Sequence, residues 1–419
     1  MRGQFRITSL LLVTTSLALA SDRATLTGKI ADPSGKPVEG ATVIVYRAGV
    51  KKGYSTFCPT CYLDCGKRTT TDPSGAFTIQ SLNSDLWFDL VVVRDGYAAA
   101  LIKKVDPTKG LAGPGILMPR AAVSDPARVV RGRVVDMDGS PVGAVVVAPI
   151  GISLADLNGR GPTSIYGTID GLEPFAVSNQ KGEFELAHSQ PATGILLQLE
   201  PRGMAPKLAA LATGTERKMI QISDGATIRG RLMDHGKPVA GAEMGLIARN
   251  RGGYGANLAI SGNPYAEIRI GTQEDGAFVI TNVPAPVEWY IYAKMESVGA
   301  RGATDPVECA TTRDNEEVNV GDIQIKPGYR VRGKITLSDG AAIAEGMRVI
   351  ISSERAWDSQ TAAIGPDGRF EVVSLPAGKY GISPAVRRYQ LPGGELDMKI
   401  LVDSDIDNLA IVLDPAARR

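Results

Sequence analysis

The sequence is poor in the residue types that most catalytic and nucleic-acid-binding sites need. It has only two histidines, His188 and His235, and it lacks a His-Glu-x-x-His motif, a Gly-x-Ser-x-Gly turn and a phosphate-binding loop. With 46 basic and 45 acidic residues the formal net charge is +1, so no overall field attracts nucleic acid. We therefore expect a protein that is not an enzyme, requires no cofactor and binds no nucleic acid, with both histidines in exposed loops.

Long apolar runs are also scarce, and the longest lies at the N-terminus. Arg2 and Arg6 precede the apolar stretch 10–19, which is too short to span a bilayer, and Ala18-Leu-Ala20 fits a cleavage site for signal peptidase. We expect residues 1–20 to be a signal peptide, with no integral membrane segment after its removal. The predicted location is secreted, periplasmic or cell-surface.

What the chain does contain is one pattern repeated four times at intervals of about 100 residues, a common domain size. Each copy has a strand with a basic residue beside Gly, a turn, and later a turn followed by Phe. The glycines are Gly28, Gly132, Gly230 and Gly333, and the aromatic residues are Phe77, Phe184, Phe278 and Phe370.

Side chains around these glycines alternate between apolar and basic. In 130–135, Val130, Gly132 and Val134 share one face and the two arginines share the other, which is typical of a strand with one buried face. A glycine on a buried face leaves space, so we expect each Phe to cover the Gly of its own repeat. The outward basic residues are expected to form a solvated face that discourages edge-to-edge aggregation.

Short strands separated by Asp-Gly and Asp-Pro-Ser-Gly turns favour an all-β protein with few helices. We predict four tandem seven-stranded antiparallel β-sandwich domains in an elongated chain. The predicted domains are 21–124, which holds a cysteine-containing insert, 125–223, 224–327 and 328–419.

The pattern resembles the carboxypeptidase regulatory-like domain, a prealbumin-like sandwich similar to the collagen-adhesin B-type repeats. Repeat 4 departs most from it, since residues 341–345 replace the expected Lys-Pro-Val-x-Gly. The resemblance implies the fold and a non-catalytic module, because this domain is not the peptidase part of such enzymes. Repeat 1 carries the match most completely, at Gly28, Asp32, Gly35, Pro37, Val38, Gly40, Ala41, Val43, Thr71, Asp72, Gly75 and Phe77.

The cysteines are the residues of this sequence that indicate a chemical role most specifically. Cys58, Cys61 and Cys65 lie in the insert of repeat 1, and Cys309 lies in repeat 3. In an exported chain we expect a disulfide within the cluster, either Cys58–Cys65 or Cys61–Cys65, with the remaining two cysteines free or paired. A zinc site and a redox-active Cys-Pro-Thr-Cys are the alternatives.

The best candidate for an ordinary binding loop is the Gly- and Asn-rich segment 252–263, which Tyr254 and Tyr265 flank. We expect the protein to be a structural or adhesive spacer or interaction module. The expected partner is an extracellular or envelope protein or a polysaccharide. The alternatives are a carbohydrate-binding protein that uses sandwich loops, and a metal or redox role for the cysteine cluster.

Overall fold

The structure, a computed structural model, describes residues 22–120, 122–154, 163–167, 169–249, 267–356 and 358–416. In these residues the chain is almost entirely β, and its sheets form four successive pairs along the sequence. A separate hydrophobic cluster fills the space between the two sheets of each pair. The all-β sandwich prediction is confirmed, while the division into four domains with the stated boundaries remains our interpretation.

The first sandwich places β4-β1-β7 against β3-β2-β5-β6. Its strands are β1 (Arg23–Ala31), β2 (Thr42–Val50), β3 (Arg68–Thr70), β4 (Ala76–Asn83), β5 (Leu86–Val93), β6 (Ala100–Val105) and β7 (Gly115–Ile116).

The second sandwich places β12-β8-β15 against β10-β9-β13-β14, with β11 also paired to β9. It opens with a short 3-10 helix (Pro126–Arg128). Its strands are β8 (Val129–Val135), β9 (Val146–Leu154), β10 (Thr163–Tyr166), β11 (Ala176–Val177), β12 (Glu183–Ala187), β13 (Gly194–Glu200), β14 (Lys207–Ala212) and β15 (Arg217–Gln221).

The third sandwich places β17-β16-β20, with β23 beside β16, against β19-β18-β21-β22. Its elements are β16 (Ala226–Asp234), β17 (Lys237–Pro238), β18 (Glu243–Ala248), β19 (Ile268–Gly271), β20 (Ala277–Val283), β21 (Val287–Ala293), the helix α1 (Met295–Val298), a 3-10 helix (Gly299–Arg301), β22 (Val307–Thr311) and β23 (Glu317–Ile325).

The fourth sandwich places β27-β24-β31-β29 against β26-β25-β28-β30. Its elements are β24 (Tyr329–Leu337), β25 (Arg348–Ser353), β26 (Ser359–Ala363), β27 (Arg369–Leu375), β28 (Gly378–Ala385), β29 (Tyr389–Gln390), a 3-10 helix (Pro392–Gly394), β30 (Met398–Val402) and β31 (Ile406–Pro415).

The prediction of seven-stranded antiparallel sandwiches needs correction in two details, strand direction and strand number. In each sandwich the first strand pairs in parallel with the last strand: β1 with β7, β8 with β15, β16 with β23 and β24 with β31. The chain crosses from the second sheet back to the first, so the returning strand runs in the same direction as the first one. Additional short edge strands bring the described parts of sandwiches two, three and four to eight strands each.

The glycine of each repeat lies directly opposite the Phe of its own sandwich, as predicted. Gly230 is the register partner of Phe278, and a β-carbon on Gly230 would come 2.6 Å from the ring atom Cζ. Gly333 and Phe370 show the same arrangement at 2.5 Å. The glycine therefore admits the ring, and the ring fills the space that the missing side chain leaves.

The Asp-rich turns are closed by their own side chains. The Oδ1 atom of Asp72 accepts hydrogen bonds from the Ser74 hydroxyl at 2.7 Å and from the backbone N–H of Ala76 at 2.9 Å. The Ser74 hydrogen bond is the main cause of the lowered pKa of Asp72. These acidic residues thus stabilise turns, as their sequence pattern indicates.

In the first sandwich a buried hydroxyl connects the second turn signature of the repeat to the residues that follow its first turn. The Thr71 hydroxyl donates to the Val38 carbonyl at 2.7 Å and accepts from the Ala41 N–H at 2.8 Å. Ser178 and Thr272 do the same in the second and third sandwiches. The corresponding position in the fourth sandwich is Ile364, which agrees with the divergence of that repeat.

Candidate functional site

The cysteine-containing insert joins β2 to β3 and is anchored by a buried carboxylate. Asp64 is 4% exposed and contacts the guanidinium of Arg23 at 3.1 Å and the ammonium of Lys67 at 2.8 Å. It also accepts the backbone N–H of Asn83 at 2.9 Å. This charged anchor fixes the insert to the edge of the first sandwich.

The disulfide joins Cys58 to Cys61, with their Cα atoms 5.1 Å apart. A bond within the cluster was expected, but both of the pairings we considered involved Cys65. That residue instead points into the core of the first sandwich, where it is 1% exposed, and its Sγ lies 3.5 Å from the Pro59 carbonyl. Because the Cys65 side chain is buried in this core, it does not form a disulfide with Cys58 or Cys61.

Cys65 and Cys309 take part in no disulfide. Burial raises the pKa of each to about 11, so both remain protonated near neutral pH. Among the described residues no group of three or more His, Cys, Asp or Glu side chains is placed to hold a metal ion. With Cys58 and Cys61 joined, the insert offers one thiol, which does not fit the zinc site that three thiolates would form.

The tip of the insert contacts the third sandwich. The Ser55 carbonyl accepts the backbone N–H of Gly271 at 2.5 Å. Beside it, the Cys61 sulfur lies 3.3 Å from the side-chain oxygen of Asn282 and 3.7 Å from the Thr281 hydroxyl. An elongated chain in which only sequence neighbours touch does not account for this contact, because the long insert reaches past the second sandwich.

The first two sandwiches meet over an apolar sheet face. The outer face of β2 and β5 presents Tyr46 and Val91, which pack against Val146 of β9 and, at the margin, Phe175. Glu200 bonds to the Tyr46 hydroxyl and to the Arg47 guanidinium across this contact. The near-continuous apolar run of β5 is thereby explained, since both of its faces are covered.

A cleft of about 880 Å³ opens beside this contact. One wall is the outer sheet face of the first sandwich around Ile44 and Val93, and the other is formed by residues 175–180 of the second sandwich. A bidentate ion pair closes one side, with Arg120 Nε 2.5 Å and Nη2 2.9 Å from the two carboxylate oxygens of Glu173.

The third and fourth sandwiches meet around a buried lysine. Lys294, whose side chain is 9% exposed, lies 2.8 Å from a Glu267 oxygen and 3.1 Å from an Asp358 oxygen. Asp358 also accepts the Met295 N–H at 2.8 Å, and Tyr292 donates its hydroxyl to Glu267 at 2.7 Å. Burial raises the pKa of Asp358, and Lys294 partly opposes that shift.

The remaining predicted residues differ in outcome. Tyr254 and Tyr265 lie outside the described residues. His188 is buried, contrary to expectation, because it directly follows β12, and its Nδ1 lies 2.6 Å from the Gln190 carbonyl oxygen. His235 is exposed, as predicted.

The outward basic residues mostly form cross-strand ion pairs, such as Arg131 with Glu185 at 2.8 Å and Arg231 with Asp322 at 2.9 Å.

Comparison with known proteins agrees with the first sandwich's sequence pattern. Residues 25–112, which lie within the first sandwich, match the carboxypeptidase regulatory-like domain family. No curated protein matches the chain. None of the helices in the described ranges is long and apolar enough to cross a membrane.

Several solved structures are similar to the chain at low identity. The Bacillus anthracis TIE protein is 10% identical, with 94% of this chain and 75% of that chain covered and a TM-score of 0.19. The Streptococcal ancillary pilin is 14% identical, with 69% and 100% covered and a TM-score of 0.24. BcpA, the major pilin subunit of Bacillus cereus, is 12% identical, with 73% and 100% covered and a TM-score of 0.19. These scores are too low to carry a conclusion about this chain.

Proposed function

We propose that the protein is an exported, non-catalytic scaffold that holds its sandwiches in a fixed arrangement and presents them to an extracellular or envelope partner. The observation that carries this proposal is the contact between sandwiches that are not neighbours in sequence, at Ser55 with Gly271 and at Cys61 with Asn282. If the sandwiches acted as independent spacers, only neighbours in sequence would need to touch, and this contact would have no role. The Cys58–Cys61 disulfide supports an oxidising compartment.

The buried charges between the third and fourth sandwiches support the same function. A lysine placed between two carboxylates tolerates burial only while its partners stay in position, so separation of the two sandwiches would be costly. The short connections between β15 and β16 and between β23 and β24 further restrict movement.

The proposal is tested by changing the third sandwich and observing the first. Asn282 and Asn315 both have positive φ, at 57° and 58°, so either is replaceable by Gly without backbone strain. In the full chain, Asn282→Gly should accelerate amide hydrogen exchange in the insert 51–67. Asn315→Gly, the matched control, should leave the insert unchanged. Equal exchange in the insert for both variants and the wild type would contradict a fixed arrangement.

A further inference from the structure

The cleft between the first two sandwiches has features that the scaffold does not require. We propose that it binds an extended acidic peptide segment of a partner protein, which adds to β11 as an extra strand and places its carboxylates on Arg68 and Arg94. This inference rests on the proposed scaffold function and names the chemistry of its partner.

The charges of the cleft leave a positive excess on the wall of the first sandwich. Two of the arginines that line the cleft are neutralised, Arg120 by Glu173 and Arg217 of the second sandwich by Glu183 at 3.1 Å. The third glutamate of the cleft, Glu185, pairs with Arg131 outside it. In the described part of the chain Arg68, Arg94 and Asp95 have no ion-pair partner, which leaves two cations against one carboxylate.

Both arginines are placed by the fold to face the cleft. Arg68 of β3 is the register partner of Ile44, so its side chain leaves the sheet on the face that Ile44 presents to the cleft. Arg94 follows β5 and extends over Gly40, whose φ is +70°. A β-carbon there would lie 3.2 Å from the Arg94 guanidinium carbon, so the glycine leaves room for this position.

The opposite wall presents an open strand edge. Within the described residues, β11 pairs only with β9, and the Ser178 N–H donates to the Val145 carbonyl at 3.0 Å. Since backbone groups alternate along a strand, the N–H and C=O of the preceding Val177 point away from β9, toward the open edge. An extended peptide binds such an edge by main-chain hydrogen bonds.

The wall of the first sandwich offers an added strand both apolar and charged contacts. Side chains on the strand face that meets this wall would contact the apolar surface around Ile44 and Val93 and the guanidinium groups of Arg68 and Arg94. The favoured sequence therefore contains both apolar and acidic residues. A polysaccharide lacks the regular main-chain donors and acceptors that the β11 edge would satisfy, so we favour a peptide over an acidic sugar chain.

The test uses the full chain and a fluorescein-labelled peptide composed of valine and glutamate, with binding followed by fluorescence anisotropy. The wild type should bind this peptide and not its valine–lysine counterpart, and added salt should weaken the binding. The double variant Arg68→Glu and Arg94→Glu should weaken binding by about tenfold or more, since it replaces attraction by repulsion. Arg369→Glu, at an exposed arginine of the fourth sandwich, should not change it.

A second variant tests the strand edge. Val177→Pro removes an N–H that points out of the sheet, so the second sandwich should fold while peptide binding falls by about tenfold. Equal binding of the two peptides, binding unaffected by the charge-reversal pair, or preferential binding of polygalacturonate would each overturn the proposal. None of these outcomes would alter the hydrogen exchange of the insert, by which the scaffold proposal is judged.

Discussion

The ring of Phe184 lies directly across from Gly132, and a β-carbon on that glycine would overlap the ring. Phe184 is 4% exposed and belongs to the core cluster of the second sandwich alone. The packing of Phe184 in the core of this sandwich therefore requires a glycine at position 132 of its first long strand, β8.

Phe184→Ala should destabilise the second sandwich by about 3 to 5 kcal/mol, as for other buried Phe truncations. Hydrogen exchange should accelerate in residues of that sandwich while the fourth sandwich keeps its rates. Met219→Ala, whose side chain is 72% exposed in the same sandwich, is the control and should change stability little. Simultaneous opening of every sandwich in Phe184→Ala would show that the cores are not independent.

The buried hydroxyl of Thr272 is expected to matter as much as its packing. Thr272→Val keeps the shape of the side chain but leaves the Val239 carbonyl and the Ala242 N–H without their partner, at a cost of about 1 to 3 kcal/mol. Thr272→Ser retains the hydroxyl and should recover most of the loss. The free energy of unfolding of the two variants and the wild type is measured by chemical denaturation. Equal stability of Thr272→Val and Thr272→Ser would rule out this role of the hydroxyl.

Mass spectrometry of the protein isolated under non-reducing conditions should find the Cys58–Cys61 disulfide and two unmodified thiols. Cys65 should resist alkylation in the folded protein because its thiol is buried and its pKa is raised to about 11. Reduction should speed hydrogen exchange in 51–67 and in the contacting residues Gly271 and Asn282. Cys309→Ser should leave these rates unchanged, and a disulfide that includes Cys65 would contradict the structure.

The first sandwich should lose stability in acid through Asp106. The Lys51 ammonium, 2.7 Å away, is the main cause that lowers the pKa of Asp106 from 3.8 to about 2. Because the folded-state pKa is depressed, this contribution is present above pH 3.8 and is lost as the pH falls toward about 2. Asp106→Asn should lower stability at neutral pH and flatten the stability curve across this range. A variant with the wild-type acid dependence would exclude Asp106 as its source.

Asp358→Ala should weaken the contact between the third and fourth sandwiches, because it leaves Lys294 buried with one carboxylate fewer. Removing one partner of a buried ion pair costs about 3 kcal/mol or more. The control is Asp305→Ala, which removes an exposed pair with Lys326 and should cost less than about 1 kcal/mol. Denaturant unfolding should separate the two variants, and similar losses would show that the Lys294 cluster adds nothing to the contact.

The fold was predictable because its signals are local and repeated. The Gly and Phe of each repeat, and turn residues such as Asp72, specify strand pairing and turn closure within a few tens of residues. The parallel return of the last strand was missed, since short terminal strands such as β7 carry little sequence signal of direction.

The contacts between sandwiches could not be predicted in the same way. Asp358 belongs to the fourth sandwich and Glu267 and Lys294 to the third, and no repeated sequence pattern marks the three residues as partners. Spacing alone also left the disulfide open, because it does not determine that Cys65 turns inward while Cys58 and Cys61 remain at the tip.

The parallel pairing of first and last strands has a mechanical meaning. The chain enters the third sandwich at the start of β16 and leaves at the end of β23, so a pull on the two ends slides these neighbouring strands past each other. All hydrogen bonds between them then share the force at once, whereas a hairpin pulled at its open end breaks one bond at a time. In the first sandwich the parallel register of β7 with β1 covers two residue pairs, fewer than the seven of β16 with β23, so this sandwich should be the first to yield under tension.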